Sequence, residues 1–252
     1  MLTRATALAG YSLESLDGEI GELRNFYFDD RNWAIRYLVA DTGEWLTGRQ
    51  VLLSPYALAA AIQHAHAISI NLTRQQIEDS PELRHDMPVS RQFEEAYYGY
   101  YGWPRYWAGP YLWGPYPSPV HDGATSEAAS QAIEAPALQL HNTAAVSGYD
   151  IHAGDGDIGN VEDFIIDDET WAIHYLIIDT RNWWPGKKVL VSPHWIESVS
   201  WTNAKVFVAL PSDLPEYHES RANKCDHETR LQQSYHRENH WASKNPVHTR
   251  MD

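Results

Sequence analysis

Residues 33–42 read WAIRYLVADT, and residues 171–180 read WAIHYLIIDT. Both stretches are rich in aromatic and branched aliphatic side chains, which favour β-strands. Each stretch follows a turn sequence that begins with two aspartates, at 29–32 and at 167–170. From position 33 to position 171 is a displacement of 138 residues, so the sequence predicts the same turn and strand twice.

The repeat extends on both sides of this strand at the same displacement and without a gap. A period of this length is far longer than one layer of a solenoid, so each unit is a whole domain and the chain is a duplication. Further matched pairs are Gly10 and Gly148, Asp17 and Asp155, Gly21 and Gly159, Phe26 and Phe164, Trp45 and Trp183, Gly48 and Gly186, Val51 and Val189, and Ser54 and Ser192.

The spacing of apolar residues predicts short strands joined by turns. The period-two rule places Ile35, Tyr37 and Val39 on one face of the second strand, and Arg36 on the other. Helices long enough for crossovers are not expected between the strands, which favours an antiparallel small barrel over a βαβ arrangement. The predicted strands are 22–28, 33–40, 50–53 and 67–72 in the first copy, with 188–191 and 205–210 among their matches in the second.

A short helix is predicted after the last of the first set of strands. Thr73 and Gln76 have the spacing of a capping box, in which each side chain satisfies a backbone amide of the first helical turn. Leu72 and Ile77 flank this box and form a hydrophobic staple.

The order of these motifs resembles the PRC-barrel family. The shared features are a Gly-Tyr opening, an Asp-Gly-x-Ile-Gly turn, an Asp-Asp turn, the Trp-Ala-Ile-x-Tyr-Leu strand and a Val-Leu-x-Ser-Pro strand. They cover about residues 5–85 and 143–215. The resemblance implies two tandem barrels of this type. It also implies a docking role, because the family includes the cytoplasmic part of the photosynthetic reaction-centre H subunit and the last domain of a ribosome-maturation factor.

The repeat divides the chain into four predicted segments. A linker is expected at 121–142, where Ala, Ser and Gln are frequent, and the final ten residues are expected to be disordered. The predicted segments are a first barrel at 5–88, an aromatic extension and linker at 89–142, a second barrel at 143–217, and a partly disordered extension at 218–252.

An aromatic run rich in Gly and Pro occupies residues 97–116. Glycine and proline break helices, so the sequence predicts no regular helix past Gly99. The favoured interpretation is that these rings complete the core of a barrel too small to close by itself. One alternative is a strip that binds a protein partner, since Tyr, Trp and Arg are common interface anchors. The other is a flexible tether. The residues assigned to that strip are Tyr101, Trp103, Tyr106, Trp107 and Trp113.

The C-terminal tail contains a partial repeat of this aromatic run. A displacement of 134 residues places Tyr101 on Tyr235 and Trp107 on Trp241. Each barrel is therefore expected to carry its own extension.

The aspartates and histidines do not form a recognisable catalytic or metal motif. Asp29, Asp41 and their counterparts stand where turns are expected, and aspartate side chains commonly accept hydrogen bonds from turn amides. His64 and His66 are two ligands without a third, which does not define a zinc site. Ser54 lies outside a nucleophile elbow. We therefore predict no catalytic, cofactor-binding or metal-binding residue, and no enzyme activity.

Charge and cysteine content narrow the class of partner. A net charge of −15 and a pI near 5.2 argue against nucleic acid, because phosphate binding needs a surplus of Lys and Arg. The single Cys225 fits a reducing cytoplasm, and no apolar run is long enough to span a bilayer.

The sequence predicts a cytoplasmic, non-catalytic protein-interaction module whose two barrels pair as an intramolecular pseudo-dimer. The protein partner is unknown, and a homo-oligomer is possible. The alternative is an accessory protein of photosynthetic or membrane electron transfer, suggested by the H-subunit resemblance.

Overall fold

The computed structural model describes residues 1–47, 49–59, 66–84, 87–119, 139–154, 156–180 and 187–209. These ranges form mostly β-structure in two sheets, which confirms the all-β class. The first sheet contains β2 (Ser12–Ser15), β3 (Gly18–Asp29), β4 (Ala34–Asp41), β5 (Arg49–Leu53), β6 (Ala67–Ser69), β7 (Leu83–Arg84) and β8 (Leu140–Asn142). The second contains β1 (Leu2–Arg4), β9 (Asp150–Ala153), β10 (Gly156–Asp167), β11 (Ile173–Asp179), β12 (Lys188–Val191), β13 (Ile196–Ser200) and β14 (Lys205–Val208).

Within the described ranges, four short helices and two 3-10 turns accompany the strands. They are α1 (Ala5–Leu8), α2 (Arg74–Glu78), α3 (Arg91–Tyr101), α4 (Thr143–Val146) and the turns Pro55–Ala57 and Pro193–Trp195. Across the described part of the chain, no helix has the length and apolar character needed to traverse a bilayer.

The predicted strands are confirmed with shifted ends. The strand predicted at 67–72 ends earlier, at Ser69, and the strand predicted at 205–210 is described to Val208, with residue 210 outside the described ranges. Helix α2 begins after Thr73, whose side chain accepts from the Gln76 amide in the predicted capping box.

The expectation of purely antiparallel pairing is wrong. Strand β2 pairs with β6 in parallel, and β9 pairs with β14 in parallel. No helical crossover is required, because three antiparallel strands intervene along the chain between β2 and β6. After an odd number of intervening strands the chain runs in its original direction when it returns beside β2. Four strands intervene between β9 and β14, but β12 and β13 run in the same direction on either side of the Pro193–Trp195 turn, so β14 again runs parallel to β9.

The two halves exchange their first strands. Strand β1 precedes the first repeat but pairs with β10 of the second, with Leu2 opposite Asp167. Strand β8 precedes the second repeat and pairs with β3 of the first, with Leu140 opposite Asp29. Positions 2 and 140, like 29 and 167, differ by the repeat displacement, so the two exchanges are equivalent.

Side chains at these exchanged strands also pair at equivalent positions. Arg4 Nε donates to Asp163 Oδ2 at 2.8 Å, and Asn142 Nδ2 donates to Asn25 Oδ1 at 2.9 Å. The domain starts predicted at 5 and 143 therefore leave out a strand that each half contributes to the other.

A reciprocal contact joins the strands that identified the repeat. The Ile35 amide donates to the Trp171 carbonyl at 2.8 Å, and the Ile173 amide donates to the Trp33 carbonyl at 2.7 Å. The main apolar core includes residues from both halves, and the Phe28 and Phe164 ring centroids lie 5.8 Å apart within it.

An irregular position in β4 changes the predicted faces of that strand. In the β3–β4 ladder Tyr27 lies opposite Tyr37, and Phe28 lies opposite Ile35, which leaves Arg36 as an extra residue. Such a bulge breaks the period-two alternation and redirects a side chain. Arg36 consequently contacts Tyr106 and Tyr37 contacts Glu94, two residues of the same stretch 91–116, so the prediction that Arg36 and Tyr37 lie on opposite faces is wrong. The same register shift leaves His174 as the extra residue in the second half.

Gly21 and Gly159 are required by close approach of the backbone. A Cβ on Gly21 would lie 2.0 Å from the Asp41 carbonyl oxygen, and one on Gly159 would lie 2.0 Å from that of Asp179. Their φ angles of +128° and +151° also fall where side chains are disfavoured. This recurring glycine is therefore explained by one shared local geometry.

Candidate functional site

Helix α3 begins the aromatic segment, which we define as residues 91–116. The Ser90 side chain accepts from the Phe93 amide at 3.2 Å and caps the helix. The helix continues through Gly99 and ends at Gly102, whose φ of 69° is left-handed. The prediction that helix stops at Gly99 is wrong, because an interior glycine costs only about 1 kcal/mol relative to alanine. The left-handed glycine is the true terminator.

One face of α3 packs on the outer side of the first sheet. Glu94, Tyr97 and Tyr98 are buried, as expected for neighbouring positions on one helical face. The Tyr97 hydroxyl donates to the Leu52 carbonyl at 2.8 Å and accepts from the Ser54 amide at 3.2 Å. Tyr97 therefore ties α3 to the backbone at the end of β5.

Arg36 forms a fully buried ion pair beneath this segment. Its Nε donates to Asp29 Oδ2 at 2.7 Å, and both side chains have no exposed surface. Its Nη1 donates to the Leu112 carbonyl at 2.8 Å. The guanidinium lies 4.0 Å from the Tyr106 ring centroid and 4.8 Å from that of Trp113, a cation–π arrangement.

This environment preserves the charge of Arg36. Burial by itself lowers the pKa of a guanidinium, but the Asp29 carboxylate, together with Tyr106 and Tyr98, outweighs this effect and raises the pKa of Arg36 above its ordinary value. Arg36 thus fastens the aromatic segment through its charge and its hydrogen bonds.

Glu94 is a second buried charged side chain in the segment. Its Oε1 accepts from the Tyr106 hydroxyl at 2.6 Å and the Tyr37 hydroxyl at 3.3 Å, and Oε2 lies 3.2 Å from Arg91 Nη1. Burial raises the pKa of Glu94 despite these contacts. Burial likewise raises the pKa of Tyr37 and Tyr106 well above the ordinary tyrosine value, so their hydroxyls remain donors at neutral pH.

The five residues predicted to bind a partner divide into two groups. Tyr106 and Trp113 are buried in the core, and Trp113 Nε1 donates to the Thr170 carbonyl at 2.7 Å. Contact between a partner and these two rings would require the segment to move. Tyr101, Trp103 and Trp107 are partly buried and pack against the core. The partner-binding role stays a prediction for all five.

Two of the partly buried rings, Tyr101 and Trp103, form a continuous patch with Tyr100. The Tyr101 and Trp103 rings stack with centroids 4.3 Å apart and planes at 13°, and the Tyr100 and Tyr101 centroids are 4.8 Å apart. Tyr100 is 43% exposed, and its hydroxyl donates to the Gln76 carbonyl at 3.1 Å. We call Tyr100, Tyr101 and Trp103 the aromatic rim. Burial raises the pKa of Tyr101 to about 12.

Sequence reasoning missed the two most exposed aromatic residues of the segment, Tyr100 and Tyr111. A helical signal could have identified Tyr100. Positions 94, 97, 98 and 101 follow the spacing of one helical face, and position 100 falls outside it. That signal was hidden because the helix was expected to end at Gly99.

The turn interpretation of several aspartates is confirmed. Asp29 Oδ1 accepts from the Asn32 amide at 2.6 Å, and Asp41 Oδ1 accepts from the Gly43 amide at 3.2 Å. Asp167 Oδ2 accepts from the Thr170 hydroxyl at 2.6 Å. Its pKa is lowered, because this bond and the Glu169 amide outweigh the opposing effect of burial. Asp155 lies outside the described residues.

The histidine pair and the tail predictions fall largely outside the described ranges. His66 is described, and its ring centroid lies 4.9 Å from that of Tyr11, whereas His64, Tyr235 and Trp241 are not described. Within the ranges that the structure covers, no group of three or more His, Cys, Asp or Glu side chains is placed to hold a metal ion.

The comparisons with known proteins leave the relationship of the chain open. No protein-family model matches the sequence, and no curated protein matches it. The resemblance to the PRC-barrel family therefore stays a prediction.

Proposed function

We propose that this protein is a non-catalytic protein-interaction module, built from two PRC-type barrels held as an intramolecular pseudo-dimer, that binds its partner through the aromatic rim. The observation that carries the proposal is the pairing of a duplicated, strand-exchanged scaffold with a partly exposed aromatic patch on its first half. A duplicated scaffold supplies rigidity, and Tyr and Trp side chains are the usual anchors of a protein interface.

Barrel closure is supported by how the ends of each sheet meet. In the second half β12 and β13 lie at opposite ends of the strand order. Along the chain, however, only Ser192 and one 3-10 turn separate them. In the first half the Ala59 amide donates to the Ser69 carbonyl at 2.9 Å, which connects the residues after β5 to β6. A sheet whose ends are joined so closely must curl.

The pseudo-dimer is supported by reciprocity. In an isologous interface, if one residue contacts a second, the symmetry-related residues make the same contact. The exchange of β1 and β8 and the two hydrogen bonds at Ile35 and Ile173 have this property. The proposal predicts that both halves tumble as one body in nuclear magnetic resonance relaxation. Two different rotational correlation times would contradict it.

A binding role is favoured over catalysis by how the buried charged groups are used. Arg36 is neutralised by Asp29, and Glu94 is held by two tyrosine hydroxyls. These groups lie within the core and fix the segment in place. The chain's net charge of −15 favours a partner with a basic surface.

The aromatic rim can be tested by photocrosslinking of the full-length chain in its native cell. A photoreactive phenylalanine analogue replaces Tyr100, and the matched control replaces Phe207, an exposed aromatic residue of the second half. We expect one discrete protein adduct from position 100. Because Trp103 belongs to the same rim, Trp103→Ala should lower the adduct yield about tenfold, the loss expected for one interface anchor.

Two outcomes would contradict this surface assignment. Identical products from positions 100 and 207 would indicate nonspecific contact. An unchanged yield in the Trp103→Ala variant, with its folding verified by circular dichroism, would exclude the rim as the anchor.

The remaining expectations stay predictions. The accessory role in photosynthetic or membrane electron transfer rests on the family resemblance, and the cytoplasmic location rests on the cysteine content. Homo-oligomer formation likewise stays a prediction.

A further inference from the structure

Three residues that contact Tyr97 on the outer face of the first sheet recur on the outer face of the second sheet. The Tyr37 and Tyr97 ring centroids are 5.4 Å apart with planes at 81°, and the Tyr97 hydroxyl bridges Leu52 and Ser54. The repeat displacement converts the three receiving positions, Tyr37, Leu52 and Ser54, into identical residues of the second half. These are Tyr175, Leu190 and Ser192.

The second face carries a small apolar cluster of its own. Ile165, Ile177 and Leu190 are buried, Leu2 and Tyr175 pack against them, and the five form a group separate from the main core. In the first half the counterparts Tyr37, Val39 and Leu52 belong to the main core. Among the described residues, the second half has no counterpart of α3, and the described chain ends at residue 209.

The sequence beyond residue 209 repeats part of the aromatic segment, including the tyrosine that contacts the first sheet. At the same displacement of 138, Phe93 corresponds to Leu231, Tyr97 to Tyr235 and Trp103 to Trp241. This displacement is the one that relates the two sheets, whereas the displacement of 134 noted earlier relates only the aromatic runs. The first residues of β6 and β14, Ala67 and Lys205, are also 138 residues apart, so Tyr97 and Tyr235 follow these strand starts by the same number of residues.

We propose that residues 228–241 bind the apolar face formed by Tyr175, Ile177 and Leu190, with Tyr235 in the position that Tyr97 occupies on the first sheet. The Tyr235 ring would pack on Tyr175, and its hydroxyl would bridge the Leu190 carbonyl and the Ser192 amide. The inference goes beyond the proposed function, because it assigns a second binding face and an occupant from this chain.

The second attachment lacks two residues that hold the first segment in place. His174 stands in place of Arg36, and Met251 stands in place of Trp113. The buried guanidinium and the indole that fasten the first segment are therefore not repeated. An occupant held by one tyrosine and one tryptophan leaves this face open to exchange with a competing ligand.

Methyl resonances of the full-length protein test the assignment with matched variants. Tyr235→Ala removes a ring current, so we expect the methyl signals of Ile177 and Leu190 to shift while those of Val39 and Leu52 stay fixed. Tyr97→Ala should produce the opposite pattern. Tyr235→Phe keeps the ring, and we expect it to leave the methyl signals in place while the Ser192 amide proton moves upfield.

A nitroxide on Cys225, the single cysteine, identifies the origin of the occupant. We expect it to broaden the second-sheet methyl signals in a uniformly labelled sample, and not in a mixture where the nitroxide and the isotope are on different molecules. Broadening in that mixture would show that a second copy supplies the segment and would overturn the intramolecular assignment. Unmoved methyl signals in Tyr235→Ala would also overturn it.

Discussion

The outer faces of the two sheets have the same backbone irregularity but differ in how far their charged side chains are buried. Both have a bulge at the same repeat position, occupied by Arg36 in the first half and His174 in the second. Arg36 and Asp29 are completely buried beneath the aromatic segment, whereas His174 Nε2 and Asp167 Oδ2 are 4.0 Å apart with 24% and 17% of their side chains exposed. A duplicated fold can therefore keep its geometry while one residue decides how much charge is buried.

The largest expected effect comes from removing Arg36. Arg36→Ala leaves Asp29 as an uncompensated buried charge, which costs about 3–5 kcal/mol of the free energy of unfolding. The matched substitution His174→Ala affects a partly exposed pair, and we expect a loss below about 1 kcal/mol. Urea denaturation of both variants measures the difference. Equal losses would contradict the account of the two faces.

The next effect concerns a position where the halves should behave alike. Gly21→Ala and Gly159→Ala each force a Cβ against a carbonyl oxygen in a disfavoured backbone conformation, so each should lose at least about 1–3 kcal/mol of stability. Gly99→Ala is the control, because its Cβ meets no atom within 4 Å and it lies inside α3. That variant should gain up to about 1 kcal/mol. Thermal denaturation checks all three, and a tolerated alanine at either strand position would refute the shared geometry.

A smaller effect separates the buried and exposed tyrosines of α3. Tyr97→Phe removes the bridge to Leu52 and Ser54 in a buried site, which should cost about 1–2 kcal/mol. Tyr100→Phe removes a hydroxyl that water can replace, and we expect less than about 0.5 kcal/mol. Chemical denaturation of the two variants compares these values. A larger loss for Tyr100 would reverse the assignment of the buried face.

The smallest effect is a dependence on pH that belongs to the first half. Burial raises the pKa of Glu94 above its ordinary value of 4.5, so the folded protein favours the protonated form. The stability contributed by that protonation is complete below pH 4.5 and is lost as the pH rises through the raised pKa. The glutamine side chain of the Glu94→Gln variant is uncharged at every pH. The free energy of unfolding of this variant relative to the native protein should therefore increase with pH across this interval. A difference that stays constant, or that falls as the pH rises, would contradict the burial of Glu94.

The sequence was informative wherever a residue acts through local geometry. The repeat located β3, β4, β5 and their matches, and the capping box located α2, because alternation and capping are encoded by neighbours. The recurring Gly21 and Gly159 were found as part of the repeat, although their contact with a carbonyl oxygen became visible only in three dimensions.

The features that the sequence did not reveal share a physical cause, because each depends on partners that are distant in the sequence. Strands β1 and β8 contain three residues each, and their pairing strands lie in the other half of the chain. The burial of Arg36 depends on a bulge and on Leu112, Tyr106 and Trp113, which cover it. Tyr106 and Trp113 carry no local signal that distinguishes core rings from the exposed rings of the aromatic rim.

Amide hydrogen exchange at Ile35 and Ile173 shows whether the two halves are paired. These two amides donate to Trp171 and Trp33 and join the halves reciprocally. We expect both to exchange only through global unfolding, as slowly as the most protected amides within either sheet. Fast exchange at both positions, while the amides inside each sheet remain protected, would show that the two halves are not paired.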